Sequence, residues 1–187
     1  GAKISFTKDQ KILFERYNSN IDRAKNRLTQ AESAIGIGVN LMQRIYELSV
    51  QARNGTYNSG DRQAIAMEVR NLRDQMLSMA NSRDTNGQYI FGGYKVNQKP
   101  FVQNVDGDIE HYGDRGVHSV QISENQRIDT SLDGAAVFLR VPVEEGVVSI
   151  FSSLDKIVSS LEENEFEDEH LDAANSVLEH LTLQQTK

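Results

Sequence analysis

The chain has 187 residues, no cysteine, no tryptophan, two prolines and a formal net charge of −7, with a pI near 5.1 and a mean hydropathy of −0.52. Without cysteine there is no disulfide, thiolate metal site, iron–sulfur cluster or thiol nucleophile, and the acidic balance argues against a general nucleic-acid binder, which needs a basic face to displace counterions. No apolar run reaches the length of a membrane span, and aromatics are only 7%, so long exposed helices are the direct way for so polar a chain to fold.

Thr7-Lys8-Asp9-Gln10 fits a capping box and places a helix start there. Behind it Phe14, Tyr17, Ile21, Ala24, Leu28, Ala31 and Ile35 recur at spacings of 3, 4, 3, 4, 3 and 4. That is the narrow seam of a coiled coil or long bundle rather than the wide stripe of a compact helix. Gly36 and Gly38 interrupt it, each costing about 1 kcal/mol against alanine. Yet the stretch holds no proline, and the seam resumes at Leu41, Ile45, Leu48 and Ala52 after a small phase shift. One continuous helix from Thr7 to Arg53 is expected, roughly 70 Å long, with the glycines marking a bend or the close approach of another backbone. Asn54-Gly55 supplies its C-terminal cap, and Ser59 or Asp61 caps the next helix. There Ile65, Val69, Leu72, Met76 and Met79 repeat at helical spacing, which predicts an antiparallel αα-hairpin closing between Asn81 and Asn86.

The period then changes. Asn86-Gly87 is a turn pair, and Tyr89-Ile90-Phe91 before Gly92-Gly93 reads as a short strand. Further strands are expected at Phe101-Val102, Ile109 to Tyr112, Val117 to Ser123 and Val137 to Val141, with turns at Asp106-Gly107, Gly113 to Gly116 and Asp133-Gly134. Helical periodicity returns after Gly146 with Val147, Ile150 or Phe151, Leu154, Ile157 or Val158, and Leu161. Glu162 to Glu169 is an acidic, self-repelling connector, and a last helix carries Leu171, Ala174, Leu178 and Leu181 through to Lys187. The fold class is therefore α+β: a rod of antiparallel helices, residues 1–93 with 143–187, into which a small two-layered or barrel-like β domain, 94–142, is inserted.

Chemical constellations are sparse. Asp106, Asp108, Glu110, His111 and Asp114 offer clustered ligands, but an EF-hand loop counted from Asp106 would end on Val117 instead of glutamate. A hairpin turn with solvated carboxylates is the better reading. His111, His118, His170 and His180 form no zinc-type pair, no Gly-x-Ser-x-Gly elbow occurs, and neither Gly36-Ile37-Gly38 nor Gly92-Gly93 leads into a phosphate-loop Gly-Lys-Ser/Thr. No catalytic residue, cofactor or metal is expected. Arg53, Arg62, Arg70, Arg73 and Arg83 on the hairpin are either solvated helix faces or contacts between subunits. Tyr94, Phe101, Tyr112 and Phe138 would be the aromatics of a ligand-binding groove, if the β segment had one.

Asn20-Ile21, Ala24, Leu28 and Glu32 resemble the first helix of the flagellin superfamily. Arg44 with Glu47, Asn54-Gly55-Thr56, Asp61-Arg62 and Glu68 are similar to that superfamily's helical hairpin. Asn81, Asn86-Gly87 and Tyr89-Ile90-Phe91-Gly92-Gly93, followed by Pro100-Phe101, resemble its hook–filament junction branch, the third hook-associated proteins, more than filament flagellins. The resemblance covers residues 8 to 115. It implies a non-enzymatic adaptor between hook and filament, self-associated in the junction and flanked by the first hook-associated protein and flagellin. It also implies an extracellular place on the bacterial flagellum after type III export without a cleaved signal peptide, helped by an export chaperone at the C-terminus. Members normally carry longer termini that pack as a coiled coil, so the chain reads as a core fragment. The motif residues Asn20, Arg44, Glu47, Arg53, Asn54, Gly55, Thr56, Asp61, Arg62, Arg70, Asn81, Asn86, Gly87, Phe91, Gly92 and Gly93 are the candidate subunit contacts. A filament flagellin, or an adhesive β module on a helical stalk, is the alternative.

Overall fold

The structure, a computed structural model, describes residues 2–186, with side chains from residue 7. Helix α1 runs unbroken from Ala2 to Ala52, about 75 Å at 1.5 Å per residue. Thr7 is therefore inside the helix, and the expected capping box at Thr7 to Gln10 is not a helix start. The continuity through Gly36 and Gly38 has a packing cause. A Cβ on Gly38 would lie 2.5 Å from Met79 Cε and 3.5 Å from Leu181 Cδ1, and one on Gly36 would lie 2.9 Å from Gln185 Nε2. Side chains of two other helices, not a backbone, occupy the space the glycines leave.

Helix α2, Ser59–Ala80, returns antiparallel to α1, with Arg44 against Glu68 and Gly38 against Met79. Its N-cap is Asn58, neither Ser59 nor Asp61. The Asn58 side chain accepts from the Asp61 N–H at 2.8 Å, and the Asp61 carboxylate accepts from the Asn58 N–H at 2.9 Å, a reciprocal capping box. Met76, Met79 and Ala80 are buried.

Between the helices lie three separate two-stranded antiparallel hairpins instead of a barrel or a two-layered sheet. Strand β1, Phe101–Gln103, pairs with β2, Ile109–His111, in the register Phe101↔His111. Strand β3, Ser119–Ser123, pairs with β4, Gln126–Asp129, with a bulge between Gln121 and Ser123. Strand β5, Val141–Val143, pairs with β6, Gly146–Val148. Strands of three to five residues bury too few side chains to share one sheet. Each hairpin docks on helices instead.

Four sequence expectations fail in this region. Tyr89-Ile90-Phe91 forms no strand; only Tyr89 makes an isolated bridge, to Arg83. Val137 to Leu139 belong to a short helix α3, Gly134–Leu139, in which Asp133 accepts from the Ala136 N–H at 3.2 Å. The expected Asp133-Gly134 turn is thus a helix start, and only Val141 of that run is in a strand. Val147 belongs to β6 and is 48% exposed; the following helix α4, Ile150–Glu162, is capped by the Ser149 hydroxyl, which accepts from the Phe151 and Ser152 N–H groups. Helix α5 spans Asp168–Gln185; Lys187, where the expected last helix ended, lies outside the described residues.

The core is continuous from helices to hairpins. Ile35, Met42, Ile45 and Leu48 of α1 meet α2 and α5, while Leu154, Ile157 and Leu161 of α4 close the other side. Its centre is a knot of four fully buried phenylalanines: Phe91 from a loop, Phe101 from β1, Phe138 from α3 and Phe151 from α4. Phe138 sits edge-on to both Phe91 and Phe101, each with ring centroids 5.0 Å apart, and stacks on Phe151 at 6.4 Å. Such pairs add to the stabilisation that burial alone provides. Phe138→Ala should lower the unfolding free energy by about 3–5 kcal/mol, measured as a shift of the urea midpoint with helical content retained.

Candidate functional site

The motif residues fall into two groups, one at the turn end of the hairpin and one where the chain crosses into the strands. At the turn end Arg62 is the hub. Its guanidinium donates to Ala52 O at 3.1 Å, Tyr57 O at 2.9 Å, Asn54 O at 3.3 Å and Asn164 Oδ1 at 2.9 Å. Ala52 O and Asn54 O lie at or just beyond the C-terminal end of α1, where helical carbonyls lack intrahelical partners and a cation is favourable, while Tyr57 O directly precedes the Asn58 cap of α2. Asn54 accepts through Oδ1 from the Thr56 N–H and hydroxyl, and a Cβ on Gly55 would meet nothing within 4 Å.

The other candidate arginines are also engaged within the chain. Arg53 pairs with Asp168 at 2.7 Å, Arg70 with Glu162, and Arg44 with Glu68 at 2.8 Å and Glu47 at 3.4 Å. Arg73, only 11% exposed, meets Asp155 at 3.1 Å. Arg83 lies over the Tyr89 ring at 4.6 Å. The acidic connector is thus partly neutralised: Glu162 and Asp168 at its two ends are tied to the hairpin, and Phe166 between them is buried.

The second group fastens the hairpins. Asn81, the C-cap of α2, donates through Nδ2 to Phe101 O and accepts through Oδ1 from the Phe101 N–H, both at 2.9 Å. One side-chain amide thereby takes the place of a neighbouring strand for β1. Asn86-Gly87 forms the expected turn: Asp84 Oδ1 accepts from the Asn86 N–H, and the Gly87 N–H, with φ +78°, donates to Asp84 O. Asn20 of α1 donates to Gln121 O of β3 at 2.7 Å.

Gly92 and Gly93 are pinned from the far side. Gly93 has φ +67°, and a Cβ there would stand 2.0 Å from Asp114 Oδ1. Asp114 accepts from the Tyr94 and Gly116 N–H groups, both at 2.8 Å. These two backbone donors hold its carboxyl below the usual aspartate range. His111 binds Phe91 O at 2.8 Å and His118 binds Gly93 O at 2.9 Å. His180 reaches Val137 O at 2.8 Å, and His170 Nδ1 accepts from the Glu167 N–H. All four histidines serve the backbone.

The acidic turn of residues 106–110 is organised by a residue the sequence reading missed. Asn104 Oδ1 accepts from the Asp106 and Asp108 N–H groups, and its Nδ2 donates to Glu110; asparagine two residues before an Asp-Gly pair was the available signal. Among the described residues no group of three His, Asp or Glu could hold a metal. The aromatic-groove expectation loses half its members, since Phe101 and Phe138 are fully buried. Tyr94 donates its hydroxyl to Val117 O, and Tyr112 to Glu110.

The family model described as the bacterial flagellin N-terminal helical region matches residues 5–96. The flagellar hook-associated protein 3 of Salmonella typhimurium is 32% identical over 146 residues, 74% of this chain and 45% of that protein. The chain is a homologue of flagellar hook-associated protein 3 with a flagellin-type N-terminal helical region. Flagellin 1 of Proteus mirabilis matches less of it, 30% identical over 51% of the chain and 30% of the flagellin. The solved structure of flagellar hook associated protein-3 from Legionella pneumophila shares the fold, with a TM-score of 0.89 at 18% identity, covering 98% of this chain and 89% of that one. The chain matches less than half the length of the Salmonella protein.

Two expected outcomes follow from these contacts. Asn81→Ala leaves the Phe101 N–H and carbonyl without their partner and should cost about 2–4 kcal/mol, read by urea unfolding; Asn81→Asp, which keeps the acceptor but not the donor, should fall between. Because the folded-state pKa of Asp114 is depressed, its carboxylate contributes stability above the ordinary value of 3.8 that is lost as pH falls through the folded value. Asp114→Asn keeps the acceptor without the charge. Its stability deficit relative to the parent should be largest near pH 6 and should vanish on acidification below the usual aspartate range, measured by denaturation at stepped pH.

Proposed function

We propose that this chain acts as part of the structural adaptor between flagellar hook and filament, without enzymatic activity. The observation that carries the reading is the reach of the similarity. The hook-associated protein 3 match extends over 74% of the chain, well past the helical hairpin, whereas the Proteus flagellin match covers 51%. On this reading the first hook-associated protein and flagellin are its neighbours, other copies complete the junction, and an export chaperone receives the C-terminal part of the whole protein. Its place is outside the cell, on the flagellum, after type III export without a cleaved signal peptide.

The fold supports a load-bearing role. Long helices sealed by apolar seams resist bending, and on this reading the segment between α2 and α4 is a unit inserted into the helical parts. Most of the candidate contact residues are engaged inside the chain, so their part in the junction is to fix the shape that neighbours meet. A sugar-binding β module is disfavoured by the burial of Phe101 and Phe138. In the source bacterium, deletion of the gene should leave hooks without attached filaments. The tagged full-length protein should restore filaments and label a band at the hook–filament boundary. Label distributed along the filament would overturn the adaptor reading in favour of a flagellin.

A further inference from the structure

A polar cleft runs between the first half of α1 and the 84–90 loop. Its outer part, about 610 Å³, is walled by Arg23, Asn26, Arg27 and Gln30 and by the 84–88 turn. A small inner recess of about 30 Å³ reaches Thr130 and His118. Among the described residues no carboxylate pairs with Arg23 or Arg27. The one acid on the wall, Asp84, is turned onto its own loop, where Oδ1 accepts from the Asn86 and Gln88 N–H groups at 2.8 and 3.0 Å. Thr130, 1% exposed, lines the recess, and its hydroxyl has no hydrogen-bond partner, the kind of orphaned polar group that calls for a bound partner or water. Two unneutralised guanidiniums and several side-chain amides make the cleft a receptor for carboxylates.

The chain carries the matching surface at its other end. From Glu144 to Asp172 it has ten acidic residues and a single lysine. Glu162 and Asp168 are used by Arg70 and Arg53, but Glu163 and Glu165 are exposed and make no ion pair among the described residues. They flank Asn164, whose φ is +57°, on a loop fixed from below by buried Phe166 and from the side by Arg62. The loop is therefore presented in a set conformation, which lowers the ordering cost of binding. It lies by the C-terminal end of α1, some 25 residues beyond the cleft, or about 40 Å along the helix, out of reach of the cleft in its own chain.

We propose that the acidic connector of one copy, led by Glu163 and Glu165, seats in the Arg23–Arg27 cleft of a second copy. The contact joins two different surfaces, so it repeats head to tail instead of closing a symmetric pair. It rests on the self-association in the adaptor reading above and names the surfaces that carry it. Being between exposed charges, it weakens with added salt.

The test uses the 187-residue chain in sedimentation velocity over a concentration series. The parent should self-associate at low ionic strength and dissociate as salt is added. Arg23→Glu with Arg27→Glu, and separately Glu163→Arg with Glu165→Arg, should each weaken association at least tenfold with an unchanged melting temperature. An equimolar mixture of the two double variants should recover it, because the acidic cleft then faces the basic connector. In the cysteine-free background, Arg27→Cys mixed with Glu165→Cys should give a disulfide-linked heterodimer in excess of either homodimer. A parent that stays monomeric throughout, variants that associate like the parent, or a mixture that fails to recover would each overturn the proposal. Localisation of the tagged protein at the hook–filament boundary reads the adaptor role separately.

Discussion

The packing of four phenylalanines from four segments is the constraint on which the rest depends. The chain has only seven phenylalanines and no tryptophan, so placing Phe91, Phe101, Phe138 and Phe151 in one knot commits four of those seven to a single point. That point is where the helical parts meet the hairpins. None of the three hairpins has enough apolar area to be stable alone. Their order follows from Phe101 and Phe138 being anchored against α4 and against Phe91. The polarity of the remaining chain is tolerable because the apolar surface is concentrated here and along the seams.

Around that knot, polar side chains do the work that longer strands would do elsewhere. Asn81 acts as a surrogate strand for β1, His111 and His118 take the carbonyls of Phe91 and Gly93, and Asp114 gathers two amides beside a glycine with positive φ. Each satisfies a backbone group that would otherwise be left unpaired at a crossing. This explains why so many of the motif residues bond within the chain even where, like Arg44, Asn54 and Arg70, they are exposed. A family signature made of Asn, Gly, Arg and Asp at turns and crossings encodes the conformation of the surface, and the surface itself is built from less distinctive residues such as Arg27 and Glu165.

The helices were legible because their apolar spacing is long and regular. A seam recurring from Phe14 to Ala52 outvotes two glycines, and the cap of α2 lies at Asn58, one residue ahead of Ser59 and three ahead of Asp61. The strand region was legible only where turn chemistry was strong, as at Asp106-Gly107. Val137 to Leu139 reads as a strand by composition yet folds as a helix, because Asp133 caps it and a helical turn delivers Val137 and Phe138 to the knot together. Burial of Phe101 could not be read from alternation in a three-residue strand, nor that of Phe138 from a six-residue helix. Nor could the use of all four histidines as backbone ligands, since their partners lie 20 or more residues away in all but one case.

The way α1 is supported has a mechanical consequence. Its second half packs against α2 and α5, and its first half is propped by the β3–β4 hairpin, where Asn20 donates to Gln121 O and Tyr17 and Ala24 are buried. Ahead of the prop, Ile12 and Phe14 stand exposed. The deflection of a loaded beam grows as the cube of its unsupported length. Between Asn20 and the buried Ala31 that length is only about 16 Å at 1.5 Å per residue. The β3–β4 hairpin is thereby a brace, and it divides the longest helix into short spans that bend little under load.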